Sequence, residues 1–260
     1  MKQQVQPAQG KLGILIPGLG AVATTLIAGV FASRKGLAEP VGSLTQTGHI
    51  RLGKRTDNNY PKIKDFVPLA KLDDIVFGGW DLYADNVYEA ASNAKVLEQQ
   101  LLDQLKSELE AITPMEAVFD KNYVLNLDGP NVKKGTRLEM AEAVAKDIED
   151  FKAKHNLSRV VVVWCGSTEK YYEASEIHQS VEAFEAALKN NDERIAPSMV
   201  YAYAAIKQGV PYVNGAPNLT VDIPAMVELA KKTGTPIGGK DFKTGQTLMN
   251  TILAPGLEAR

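Results

Sequence analysis

Apolar and polar positions along this 260-residue chain follow two periods, and the switches between them mark out strands and helices. Leu12 to Ile16 form a short apolar run, and a helix-period run follows to about Ser33. Asp74-Ile-Val-Phe, closed by Gly78, Gly79, Trp80 and Asp81, predicts a second strand. Asp85 to Ile112 reads as one long helix. Val96, Leu97, Leu101, Leu102, Leu105 and Leu109 recur there at three- and four-residue steps, and Pro114 stops the run. A further helix is predicted from Arg137 to His155. Arg159-Val-Val-Val-Val-Trp164 is the cleanest buried strand. Four consecutive valines without alternation predict a strand covered on both faces, as in a parallel sheet. Helices at about 178–190 and 198–208 follow, then a short strand Pro211–Val213, a turn at Asn214-Gly215-Ala216-Pro217 and a helix from Ile223 to about Thr233. This alternation predicts an α/β fold, with a mostly parallel sheet and helices on both faces. Residues 1–10 are Gln-rich and read as a flexible tail, and Glu39 to Tyr60 as a long loop.

Between the first strand and its helix stands Gly18-x-Gly20-x-x-Ala23. Strand, glycine turn and helix are what a dinucleotide-binding βα unit needs. The first glycine permits the sharp turn, and the second lets the backbone approach a pyrophosphate. The small third residue allows helix and strand to pack closely, and the helix N-terminus offers free N–H groups. Such a unit usually continues into a second strand that ends in an acid about 20 residues beyond the glycines. Glu39 has that spacing, but no apolar strand precedes it. The ribose partner must therefore come from elsewhere, or the fold is a variant. Residues 12–33 also carry no charge and match the length of a membrane helix, so a signal anchor is the alternative reading. Pro17, Gly13, Gly18, Gly20, Gly29, Thr24 and Thr25 weigh against it, because they interrupt the run where a strand would hand over to a helix.

A net charge of −2 makes no electrostatic case for nucleic acid or an anionic membrane surface. The single Cys165 excludes an intramolecular disulfide and suits a reducing, cytoplasmic setting. His49, His155 and His178 show no metal-ligand spacing, and no metal is expected. Gly238 to Thr247 is rich in glycine, lysine and hydroxyl groups. It could hold a phosphate or oxyanion, or be a polar surface loop, and it lacks the spacing of a Walker A loop.

Several separated motifs together resemble the myo-inositol-1-phosphate synthase (inositol-3-phosphate synthase) family in its shorter bacterial style. They are Gly18 to Thr25, Gly78-Gly79-Trp80-Asp81, Val161 to Glu169, Ala196 to Ala205, Gly209 to Pro217 and Gly239 to Thr247. The resemblance implies an NAD-dependent isomerase. It would convert D-glucose 6-phosphate to 1D-myo-inositol 3-phosphate by oxidation at C5, enolisation, intramolecular aldol cyclisation and re-reduction. It also implies an NAD-binding Rossmann-like domain over 11–208 and the beginning of a catalytic and oligomerisation domain over 209–260. Gly18, Gly20, Ala21 and Val22 would face the pyrophosphate of NAD, and Asp81 would bind the adenosine ribose. Cys165, Gly166, Ser167 and Thr168 would line the cofactor cleft, and Asn214, Gly215 and Ala216 would border the nicotinamide. Asp241 and Lys243 match the family's catalytic Asp-x-Lys element, with Lys243 as the cation beside developing charge at O5.

Two positions depart from the family pattern. Lys240 replaces the first acid of a usual pair, and Leu248 stands where many members carry another active-site lysine. Family members also continue well beyond this motif, into a region that supplies further lysines, the tetramer-forming sheet and helices that complete the cofactor domain. The chain is therefore expected to be truncated or one half of a split enzyme, and to find a homo-oligomeric partner or a complementing C-terminal chain. A non-catalytic NAD-binding fragment and another NAD-dependent oxidoreductase are the alternatives.

Overall fold

Leu12-Gly-Ile-Leu-Ile forms the centre of a six-stranded, all-parallel sheet in the computed structural model, which describes residues 9–242 and 245–259. The strands are β1 (Lys11–Pro17), β2 (Ile75–Asp81), β3 (Met115–Glu116), β4 (Leu157–Trp164), β5 (Tyr212–Asn214) and β6 (Ile237–Gly238). Their order is β3-β2-β1-β4-β5-β6, so the chain reverses direction across the sheet between β1 and β4. That reversal opens a crevice at the carboxyl ends of these two strands, where open α/β sheets bind ligands.

The helices are α1 (Ala21–Arg34), α2 (Leu44–Thr47), α3 (Ile63–Phe66), α4 (Val87–Ala94), α5 (Gln99–Gln104), α6 (Lys106–Glu110), α7 (Arg137–Lys154), α8 (Val181–Lys189), α9 (Pro197–Lys207), α10 (Pro224–Thr233) and α11 (Gly245–Glu258). Successive strand residues point to opposite faces, and two separate cores result. Leu15, Trp80, Val160 and Val162 pack with α7 to α10, whereas Ile16 and Phe77 pack with α1 and α4 to α6. Helix α7 starts sharply because Thr136 accepts a hydrogen bond from the Glu139 N–H while the Glu139 carboxylate accepts one from the Thr136 N–H.

Two expectations need restating. The stretch 85–112 is three short helices rather than one. Lys95 takes a left-handed conformation (φ 53°) that ends α4, and Val96 beyond it is exposed. The bend brings Leu102, Leu105 and Leu109 into the α1-side core, which a straight helix with Val96 on the same stripe would not do. The valine run of β4 is fully buried on one face only: Val160 and Val162 are buried, and Val161 and Val163 are half-buried. The uncharged run 12–33 is divided between β1 and the 14-residue α1. Among the described residues no helix is long and apolar enough to cross a membrane. Residues 209–238 add β5 and β6 to the same sheet and α10 to the same helical layer.

Candidate functional site

Strand β1 ends at Pro17, and the chain turns at Gly18 with φ +90°. A Cβ on Gly18 would lie 2.5 Å from the Cα of Gly166 in the loop after β4, so both the turn and the close approach demand glycine here. Gly18 also donates its N–H to the Trp80 carbonyl at 2.8 Å, which ties the turn to β2. Gly20 precedes α1 as its N-cap. No side chain caps the helix there, and its first turn carries no acid. A Cβ at Gly20 would meet nothing within 4 Å. Among the described residues no side chain caps the N-terminal N–H groups of α1, and Gly20 leaves the space in front of the cap open, which is the arrangement that receives a phosphate.

The acid of the second strand is Asp81. Strand β2 pairs with β1 in the register Pro17↔Trp80, so Asp81 closes the strand beside the glycine turn. It stands where the usual acid stands, although 62 residues of sequence separate it from Leu19. Segment 35–74, with α2 and α3, is an insertion that lengthens the spacing without moving the strand. The Asp81 carboxylate accepts from the N–H of Leu19 at 2.7 Å and of Tyr83 at 3.1 Å. Burial pushes its pKa up, and these N–H groups pull against that shift.

Between these walls lies a cavity of about 270 Å³, lined by Gly18, Gly20, Asp81, Cys165, Gly166 and Ser167 among others. Its floor is aromatic. Tyr201 lies 5.1 Å from Trp80 and 5.8 Å from Trp164, centroid to centroid, and the Tyr201 hydroxyl accepts the Val118 N–H at 2.8 Å. The buried Trp164 Nε1 has no hydrogen-bond partner among the described residues. Burial pushes the Cys165 thiol up to about 11, which keeps it protonated and poorly nucleophilic near neutrality.

The remaining expected site residues lie around this cavity rather than in its wall. Ala21 and Val22 are exposed on the first turn of α1, and Thr168 is exposed just past the lining loop. Asn214, Gly215 and Ala216 are buried one strand further along the sheet edge, after β4, where Gly215 donates its N–H to the Trp164 carbonyl at 3.1 Å. The Asn214 side chain is spent internally, on the Asn218 carbonyl and the Ala216 N–H. Asp241 is exposed with φ +74°, and its N–H donates to the Ala216 carbonyl at 3.0 Å. Lys243 lies outside the described residues. Lys240 pairs with Asp222 at 2.6 Å, a hydrogen-bonded contact that raises the lysine pKa.

Sequence reasoning assigned no role to Glu169, Ser198, Asn218 or Thr220. Glu169 is 5% exposed and lines the same cavity. Its carboxylate accepts from the Ser198 N–H at 2.8 Å and from the Ser198 hydroxyl, which is in turn hydrogen-bonded to Thr220 Oγ1 at 2.7 Å. Its own N–H donates to Asn218 Oδ1 at 2.8 Å. Burial pushes its pKa up to about 7 against the Ser198 bonds. The available signal was an acid directly after a Ser-Thr loop at a strand end, together with a serine just inside a proline-started helix. Nothing local connects the two.

An uncapped helix N-terminus, a glycine turn pressed on the opposite loop and an acid closing the second strand fit the phosphates and ribose of a dinucleotide. With the strand order 3-2-1-4-5-6, they define a Rossmann-type dinucleotide-binding domain. An NAD-binding family described as "Myo-inositol-1-phosphate synthase" matches residues 12–257, and the chain belongs to that family as its NAD-binding part. Inositol-3-phosphate synthase 1 of Bacteroides thetaiotaomicron is 56% identical over 264 aligned residues, covering 100% of this chain and 61% of that protein. Inositol-3-phosphate synthase 1 of Oryza sativa subsp. japonica is 38% identical, over 94% of this chain and 51% of its own length. The crystal structure of inositol-3-phosphate synthase from Caenorhabditis elegans superposes with a TM-score of 0.87 at 30% identity, covering 97% of this chain and 53% of that one. The chain thus spans between about half and three-fifths of the length of these relatives.

Proposed function

We propose that this chain is the cofactor-binding part of an inositol-3-phosphate synthase, acting in the NAD-dependent isomerisation of D-glucose 6-phosphate to 1D-myo-inositol 3-phosphate. The observation that carries this reading is the 56% identity to the Bacteroides synthase along the whole chain. Bound NAD supplies a hydride acceptor at C5 of the sugar and returns the hydride later, so no net redox change results. The N–H groups at Gly20, Ala21 and Val22 receive the pyrophosphate, with Gly18 setting the turn. Asp81 takes the ribose hydroxyls while its other contacts hold the glycine loop. Cys165, Gly166 and Ser167 form the facing wall with Thr168 just beyond it, and Asn214, Gly215 and Ala216 border the nicotinamide end. Asp241 and Lys243 open the sugar-binding side, where the lysine offers charge to an oxyanion as it develops.

Turnover of glucose 6-phosphate is proposed for the synthase as a whole, of which this chain matches the NAD-binding part. A second reading is a non-catalytic NAD-binding module. Calorimetric titration with NAD, coupled to a product assay on glucose 6-phosphate, separates the two. NAD binding, with product only when the C-terminal segment of the Bacteroides synthase is added, supports the first reading. NAD binding with no product under either condition supports the second. A folded chain that binds no NAD overturns both.

A further inference from the structure

We propose that Glu169 is a positioning residue that clasps the two loops of the cofactor cleft to each other and to α9. The inference rests on the cleft assignment above, and three observations carry it. First, Glu169 follows directly on the 165–168 loop, and its backbone N–H holds Asn218 in the loop after β5. Asn218 in turn accepts from Asn214 Nδ2 at 3.1 Å, and Asn214 Oδ1 accepts from the Ala216 N–H at 3.2 Å. One connected chain of hydrogen bonds therefore runs from the wall of the cavity to the 214–216 turn.

Second, α9 has no cap of its own. Its N-cap residue is Ala196, which offers no side-chain acceptor. The Glu169 carboxylate supplies the acceptor from a distant loop, taking the Ser198 N–H at the second helical position. A carboxylate there also interacts favourably with the helix dipole. Third, the group is nearly inaccessible yet lines the cavity. Burying a carboxyl costs stability unless its hydrogen bonds are made, so the clasp holds only in the geometry that satisfies Glu169, Ser198 and Thr220 together. The titratable groups that face it are Asp120 and Tyr123 from the segment after β3, Tyr201 of α9 and Tyr212 of β5. His178, Arg194 and Lys170 line the small pocket on its other side.

The test uses the whole chain, with Glu169→Ala, Glu169→Gln and Ser198→Ala. Glutamine can accept from the Ser198 N–H and donate to its hydroxyl, so it keeps the clasp without a titrating proton. Glu169→Ala is expected to weaken NAD binding by about tenfold or more, with secondary structure by circular dichroism unchanged. Glu169→Gln is expected to restore affinity to within about threefold and to remove the dependence of NAD affinity on pH between about 6 and 8. Ser198→Ala falls between the two, and stands in if Glu169→Ala does not fold. Glu169→Ala binding as tightly as the parent overturns the proposal, as does Glu169→Gln binding as weakly as Glu169→Ala. Hydrogen exchange reads the clasp without ligand. Loss of the side chain leaves the Glu169 N–H bond to Asn218 in place but breaks the path through Ser198 to Thr220, and is expected to speed exchange in 165–169, around Thr220 and at the start of α9 together, leaving β1 and α1 unchanged. Faster exchange confined to 165–169 also overturns the proposal, and does so even if the parent chain binds no NAD, the result that would instead defeat the cleft assignment.

Discussion

The two walls of the cleft are built from different materials. On the β1–β2 side the wall is backbone: a glycine turn pressed on Gly166, uncovered N–H groups, and an Asp81 carboxylate that takes the Leu19 N–H. On the β4–β5 side it is a side-chain network in which Glu169, Ser198, Thr220, Asn218 and Asn214 hold loops from three different elements. Backbone walls tolerate almost no substitution at the glycine but ask little of residues elsewhere. Side-chain walls depend on every member, because each broken link leaves a buried polar group unpaired.

The largest expected effect lies in the backbone wall. Gly18→Ala forces φ +90° on a residue with a Cβ and drives that Cβ into Gly166. NAD affinity by calorimetry is expected to fall roughly 10- to 100-fold, and a variant that binds like the parent would break the comparison. Next is Tyr201→Phe beneath both walls. It leaves the buried Val118 N–H without its acceptor and is expected to cost about 1–3 kcal/mol in urea unfolding, with little change in cavity shape.

The side-chain wall has a pH signature. Glu169 titrates near 4.5 when unfolded and at about 7 when folded. Between those values the folded chain holds a proton that the unfolded chain has lost. Its contribution to stability is therefore fully present below pH 4.5 and lost as pH rises through about 7. Glu169→Gln should flatten that part of the stability profile, whereas variants in the backbone wall should leave it intact. The smallest effect is expected far from both walls. Thr136→Ala removes the α7 cap and should cost about 1 kcal/mol while leaving NAD affinity as it was. A matching loss of affinity would show that the walls are not independent of the helical layer.

These differences track what could be read in advance. Strands β1, β2 and β4 and helices α1, α7 and α10 were legible because each is an uninterrupted apolar pattern bounded by turn residues. The two-residue β3 and β6 were not, since two residues carry no period and their pairing is decided by neighbouring strands. The 85–112 segment misled because its leucine stripe is the same whether the helix is straight or bent. Only the shape of α1 and the left-handed Lys95 choose between those two.

The strand–glycine–helix unit could be read from contiguous residues, because a positive φ and a close backbone approach select glycine locally. The α/β class was legible for a similar reason, since strand and helix periods are written in contiguous residues. Asp81 was reached in the sequence only through the family resemblance, because the 35–74 segment hides the usual spacing, and it is the β1–β2 register that sets its carboxylate beside the glycine turn. Tertiary packing alone decided which side of the valine run is buried, because hydrophobicity says that a residue can be covered and not what covers it. It alone brought Glu169 to Ser198 and Asn218, 29 and 49 residues away. A hydrogen-bond network leaves no periodic trace in a chain when its members meet only after the sheet has formed.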